Sequence, residues 1–232
     1  MNHVKKQNGF TLVELLLAMS FLSLLLVAIA MTVIQIGNIY TRGMTLKDVN
    51  QAGRVVVDDL QRTIGGASPF GLEQEDGRYV STGYGGRLCT GRYTYVWNYG
   101  EAIEDGDTSN LHVYSNSDET IRLTKAFDPA AAYCINPDLD IDYDESTELL
   151  KDGQRSLALH KFDVSTEDSA RDSLTSQQLY YIEFILGTNN QGALEHNSTN
   201  TTCQPPSELE SDINYCAVNK FTIVVRAGNM LE

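Results

Sequence analysis

Positive charge is what this chain has least of: 17 Lys and Arg stand against 31 Asp and Glu, a formal charge of −14 over 232 residues. A grip on nucleic acid rests on neutralising phosphates with Lys and Arg, so no direct nucleic-acid binding is expected, a local basic patch aside. The acidity fits a soluble, mutually repelling exterior. Proline is also sparse, with 5 residues, and none precedes Pro69, so no ring interrupts a helix before that point. No C-x-x-C occurs, and His3, His112, His160 and His196 do not cluster with the thiols, which leaves zinc chemistry without a ligand set. G-x-S-x-G, H-E-x-x-H and the phosphate-binding P-loop are absent, and His160 near Asp163 and Ser165 is a local coincidence with no predicted pocket. The chain reads as no enzyme and as needing no cofactor.

Charge is missing again between Phe10 and Ile36, where Glu14 is the only ionisable residue. About 20 helical residues at 1.5 Å rise cross a hydrocarbon core, so this segment is long enough to span. Lys5 and Lys6 precede it and favour a cytoplasmic N-terminus. A carboxylate near the start of such a helix costs roughly 2.5–3.5 kcal/mol on insertion scales, so Glu14 asks for a partner or a role. A secretory signal peptide is the alternative, because Ala28-Ile29-Ala30 is an A-x-A cleavage pattern that would start the mature chain at Met31. Against it, the apolar core would be about 18 residues, longer than the usual 7–15, and would contain a glutamate.

Residues 8–18, N-G-F-T-L-V-E-L-L-L-A, resemble the N-terminal signature of the type IV pilin-like proteins, which include pilins and the pseudopilins of type II secretion. The resemblance implies cleavage after Gly9 by a membrane-embedded prepilin peptidase and N-methylation of the exposed Phe10. It also implies that Glu14 pairs with the N-terminal amine, here of Phe10, of an adjoining subunit in a filament. A buried carboxylate gains from such a cation only at the right axial offset, so the pair would act mainly as a register device. Lacking a P-loop, the chain would depend indirectly on a separate cytoplasmic assembly ATPase and a platform protein, as such systems do. The expected places are the bacterial cell membrane, single-pass with the head exported, and an extracellular filament after assembly. Many major pilins carry a proline in the membrane half of this helix, and this chain does not.

Beyond the span, Val49, Ala52, Val56, Leu60 and Ile64 recur at three- and four-residue intervals, with Asp48, Arg54, Asp58, Asp59 and Arg62 between them. This predicts an amphipathic stem with one stripe facing a domain, stopped at Gly65-Gly66. Gly37, Gly43 and Gly53 are weak points at about 1 kcal/mol each relative to alanine, and a bend or frayed turn is expected over residues 37–45. Residues 50–64, N-Q-A-G-R-V-V-V-D-D-L-Q-R-T-I, are similar to the stem of larger minor pilins and minor pseudopilins.

From Ser68 short apolar runs alternate with Gly, Asn, Asp and Ser clusters. Tyr93, Tyr95, Trp97 and Tyr99 alternate with smaller residues, a strand with an aromatic face. Other strand candidates are 111–114, 120–123, 157–162, 179–186 and 221–226; Tyr180, Ile182, Phe184 and Leu186 line one face of the strongest, with Glu183 on the other. The fold class is α+β, pilin-like: a long N-terminal helix, part transmembrane and part amphipathic, on a mainly antiparallel sheet. The expected organisation is a leader at 1–9, a transmembrane and filament-core helix at 10–40, a stem at 41–66 and an exported head at 67–232.

Cys89, Cys134, Cys203 and Cys216 all fall in that head, where an even count favours disulfides and allows three pairings. Sequential closure is favoured, since the short last loop flanks a strand. Asp138, Asp140, Asp142 and Asp144 alternate in P-D-L-D-I-D-Y-D-E, followed by Glu145 and Glu148, a weak calcium candidate. Counted from Asp138, the sixth and twelfth places of a calcium loop hold Tyr143 and Leu149, so the spacing fails and a solvated acidic loop is favoured.

Two functions fit. One is a minor structural subunit of a type IV pilus or related type II secretion filament, with prepilin peptidase, other pilin or pseudopilin subunits and the membrane as partners. The other is an adhesive or DNA-uptake module on the same anchor, with the aromatic strand or the acidic loop as its contact.

Overall fold

A computed structural model describes residues 9–72, 77–106, 110–117, 119–136, 141–150, 156–166, 177–197, 200–205 and 215–228. The chain divides into two compact units, Met1–Thr41 and Arg42–Glu232. Helix α1, Leu12–Gly65, is one α-helix of 54 residues. No frayed turn forms at Gly37 or Gly43. The cost of about 1 kcal/mol for an isolated helical glycine is small beside the cooperativity of the flanking helix formers.

In the first unit every described residue from Gly9 through Tyr40 is exposed. By length and composition α1 can cross a membrane.

In the second unit α1 buries Thr45, Val49, Gly53, Val56, Leu60 and Ile64, again at three- and four-residue spacing. Ala52, expected on the stripe, is only half-buried; Thr45 and Gly53 sit there as well. The stripe meets two antiparallel sheets. The first is a five-stranded meander in the order β1 (Tyr79–Ser81), β2 (Gly85–Cys89), β3 (Tyr93–Asn98), β4 (Leu123–Phe127), β5 (Ser146–Glu148). The second has β7 (Gln178–Thr188) at its centre, between β6 (Leu157–Ser165) and β10 (Val218–Ala227). A small hairpin pairs β8 (Leu194–Asn197) with β9 (Asn200–Cys203). Short helices α2 (Gly100–Asp105) and α3 (Ala132–Ile135) follow β3 and β4. The α+β class expected from the sequence, a long helix on antiparallel sheet, is the one present.

The alternation on β7 produces its burial directly: Tyr180, Ile182, Phe184 and Leu186 are fully buried, while Glu183 on the opposite face bonds Lys161 at 2.9 Å and Lys220 at 2.6 Å. An aromatic series crosses the core. Phe221 stacks on Phe184 at 5.0 Å, Phe184 lies 6.1 Å from Phe162, and Phe162 lies 4.4 Å from Trp97 on the other sheet. A polar lock joins helix to sheet beside it. Tyr95 donates to Asp59 Oδ2 at 2.6 Å, and Lys125 Nζ donates to Asp59 Oδ1 at 3.0 Å and to Thr63 Oγ1 at 2.6 Å. Burial first, then the Asp59 charge, drives the Tyr95 hydroxyl far above its ordinary value, so it stays a donor at any physiological pH. Asp59, assigned by periodicity to the wet face, is therefore half-buried and employed.

Two strand expectations shift. Of the 120–123 run, Thr120 makes an isolated bridge to Val113 and Leu123 alone joins a strand, as the first residue of β4. The 111–114 run makes isolated bridges, with Tyr114 reaching Ile141. Both faces of the first sheet are covered here. Val96, Tyr114, Ile121, Ala126 and Ile141 form a second apolar cluster behind it, so β4 buries Thr124 and Ala126 and shows no amphipathic alternation.

Candidate assembly and processing site

At the start of α1, Thr11 and Glu14 form a reciprocal cap. The Thr11 N–H donates to Glu14 Oε2 at 2.9 Å, the Thr11 hydroxyl donates to the same oxygen at 2.9 Å, and the Glu14 N–H donates to Thr11 Oγ1 at 3.3 Å. This is a capping box: residue three of the helix returns to the cap residue's amide, and orphan donors of the first turn are satisfied in pairs. The carboxylate also faces the positive end of the helix dipole. Glu14 thus has a local partner, Thr11, which the sequence reading overlooked although T-L-V-E ahead of an apolar run carries that signal. Phe10 is 87% exposed, and a Cβ added at Gly9 would meet nothing within 4 Å among the described residues, so none of these shields the Gly9–Phe10 peptide bond.

The other singled-out residues lie in the second unit. Cys89 pairs with Cys134 and Cys203 with Cys216, at sequence separations of 45 and 13, and no described cysteine is free. In the chain-entropy account, loops of this size are worth about 4 and about 3 kcal/mol respectively. Asp138 and Asp140 lie outside the described residues. Asp142 Oδ1 accepts from Asn116 at 2.6 Å and from the Asp144 amide at 2.8 Å, and Asn116 also reaches Asp144 at 3.3 Å. Glu148 accepts from the Tyr114 hydroxyl and from the amides of Arg122, Leu123 and Leu150. These carboxylates hold turns, and no metal-ligating group of three occurs among the described residues.

The aromatic row on β3 belongs to the core. Tyr95 and Trp97 have no exposed surface, and Tyr93 and Tyr99 are half-buried. A flat binding platform on that strand is therefore excluded. Hydroxyls gather instead in a cleft of about 810 Å³ between edge strands β1 and β6. There Tyr79 donates to the Phe162 carbonyl at 3.1 Å and to Asp163 at 3.3 Å, and Ser81 bonds Tyr99 at 2.9 Å. Burial and the Asp163 charge push the Tyr79 hydroxyl up to about 12.

His160 sits where the β6–β7 register slips between Leu159 and Lys161. Its Nε2–H donates to the Thr188 carbonyl at 3.2 Å, its Nδ1 is buried without a partner among the described residues, and its ring is 5.7 Å from that of His196. Asp163 turns to Tyr79 instead, so the sequence neighbours form no relay. Burial, reinforced by His196, lowers His160 from 6.5 to about 4. The folded state then declines a proton that the unfolded chain accepts, so this stability is present above pH 6.5 and is lost progressively as pH falls toward 4. Unfolding of the full chain by urea in detergent should show about 1–2 kcal/mol less stability at pH 5 than at pH 7 from this group alone. His160→Gln should remove that part of the pH dependence; an unchanged slope would assign it elsewhere.

Residues 4–34 match the prokaryotic N-terminal methylation motif, which contains Gly9, Phe10, Thr11 and Glu14. No curated protein and no solved structure matches the chain. The chain thus carries a type IV pilin-like N-terminal methylation motif at residues 4–34, on a long helix whose first part is exposed and apolar and whose remainder packs on antiparallel sheets.

Proposed function

We propose that the chain is a minor structural subunit of a type IV pilus or related type II secretion filament. A prepilin peptidase removes residues 1–9, Phe10 becomes the methylated N-terminus, and residues 10–40 anchor the subunit in the membrane and then in the filament core. Residues 41–66 form the stem, and residues 67–232 the exported head. Assembly is driven from outside the chain, by an ATPase and a platform protein, and pilin-like proteins are in general structural rather than catalytic. The observation that carries this is the methylation motif placed on a helix whose apolar surface is exposed from Gly9 through Tyr40. That surface would be covered by lipid before assembly and by neighbouring helices after it. Within the capping box both Thr11 bonds end on Oε2, which leaves Oε1 of Glu14 for the amine of an adjoining Phe10.

Mass spectrometry of the protein co-expressed with a prepilin peptidase should find a mature chain beginning at N-methylated Phe10. A chain beginning at Met31 would overturn the proposal in favour of a signal peptide. Gly9→Val should block processing. No atom of the described residues crowds Gly9, so the loss would arise in the peptidase's own site rather than from misfolding.

The cleft between β1 and β6 supports a second function, a binding head on the same anchor, because it concentrates hydroxyls beside Lys161 and Asp163 at two strand edges. Deletion separates the two. Loss of filaments supports the assembly role, and intact filaments with lost attachment or transformation supports the receptor role.

A further inference from the structure

In a chain with a formal charge of −14, one cleft is basic. It lies at the C-terminal end of α1, encloses about 460 Å³, and is lined by Arg62, Arg92, Lys125, Tyr93 and Phe127, with no carboxylate among the described residues of its walls. Lys125 is already engaged by Asp59 and Thr63, and its ammonium sits 4.3 Å from the Tyr93 ring centre. Arg62 and Arg92 are different. Both are exposed, and neither guanidinium has a hydrogen-bond or ion-pair partner among the described residues. Arg62 in the last turn complements the helix dipole, but Arg92 stands in the turn between β2 and β3, where no dipole accounts for it. Phe127, 62% exposed and edge-on to Tyr93 at 5.6 Å, supplies an apolar wall beside them.

We propose that this cleft receives carboxylate side chains from an acidic segment of a neighbouring protein subunit. Paired guanidinium forks match carboxylates bidentately, and an exposed aromatic beside them adds apolar contact. Charge complementarity selects the occupant: a surface as acidic as this chain's own is attracted to the cleft and repelled elsewhere on the head. A nucleic acid is a poorer fit, because its affinity scales with the number of phosphates neutralised, and two unengaged guanidinia within an acidic surface neutralise few. The cleft does not depend on processing after Gly9, so this inference and the filament assignment can fail separately.

The test is fluorescence anisotropy of labelled octaglutamate added to the full chain in detergent at low salt, with octalysine as the control and inorganic phosphate as competitor. Octaglutamate should bind and octalysine should not, and binding should weaken with added salt. Combining Arg62→Ala with Arg92→Ala should weaken binding roughly tenfold or more, and the double lysine variant should fall between, having charge without the fork. Arg92→Glu alone, in an exposed turn, provides the same direction of change should the double variant prove unstable. The proposal is overturned by absent octaglutamate binding, by binding unchanged in the arginine variants, or by phosphate binding at the arginines while octaglutamate does not.

Discussion

Glu14→Ala should leave the helix inserted in the membrane and remove the subunit from filaments, as read by membrane fractionation and by immunoblotting of sheared filaments. Insertion does not suffer because deleting a carboxylate relieves a cost of up to roughly 2.5–3.5 kcal/mol in the hydrocarbon. Assembly suffers on either of two accounts, and a second variant distinguishes them. The capping box tolerates Gln as well as Glu at its third helical position, so Glu14→Gln preserves the bonds to Thr11 and loses the charge. If Glu14 sets register by pairing with the Phe10 amine of an adjoining subunit, the Gln variant should be excluded from filaments as fully as the Ala variant. If its task were only to cap α1, worth about 0.5–2 kcal/mol, the Gln variant would assemble normally and the register role would be lost. Thr11→Val supplies the converse, a weakened cap with the charge intact, and should assemble.

Legibility in the sequence followed the ratio of local to long-range determinants. The apolar span, the stop at Gly65 and strand β7 are visible because a single periodicity, 3.6 or 2, decides their burial against one neighbour. Strands β1, β2 and β5 were missed: Y-V-S, G-G-R-L-C and S-T-E are short, with little alternation, and pair only because the meander brings a neighbour to them. Gly85 and Gly86 are required there by contact, since the Trp97 backbone and ring occupy the space their side chains would take. Asp59 was misplaced because a charge was assigned to solvent, whereas Tyr95 and Lys125 arrive from strands distant in sequence to bond it. At the N-terminus the information is wholly local, so Gly9, Phe10 and Glu14 stand out. The capping role of Thr11 is local too, written in the T-x-x-E spacing from Thr11 to Glu14. The basic cleft is not legible for the opposite reason: Arg62 and Arg92 lie in different elements and come to line one cleft only in the fold.

Gly53→Ala should destabilise the protein by about 1–2 kcal/mol in urea unfolding of the full chain, although helix propensity alone assigns alanine a gain of about 1 kcal/mol at this position. The reversal of sign comes from Phe221. A Cβ built on Gly53 overlaps the far edge of the Phe221 ring, too close for either to remain in place. The ring is not a free end that can swing aside, because it stacks on Phe184 at 5.0 Å with planes 16° apart, and Phe184 continues the aromatic series toward Phe162 and Trp97. Moving Phe221 therefore disturbs the contact between α1 and the three-stranded sheet, or pushes the helix off it. Gly53→Val should cost more, about 3 kcal/mol, since a branched side chain adds bulk and is restricted on a helix. The coupling is measurable. Phe221→Ala should cost less in the Gly53→Ala background than in the wild type, with an interaction of about 1 kcal/mol or more, because losing the ring relieves the clash and the added methyl fills part of the space the ring leaves. A Gly53→Ala variant more stable than the wild type would show that the ring is not held against the helix, and Gly53 would revert to the weak point its propensity describes.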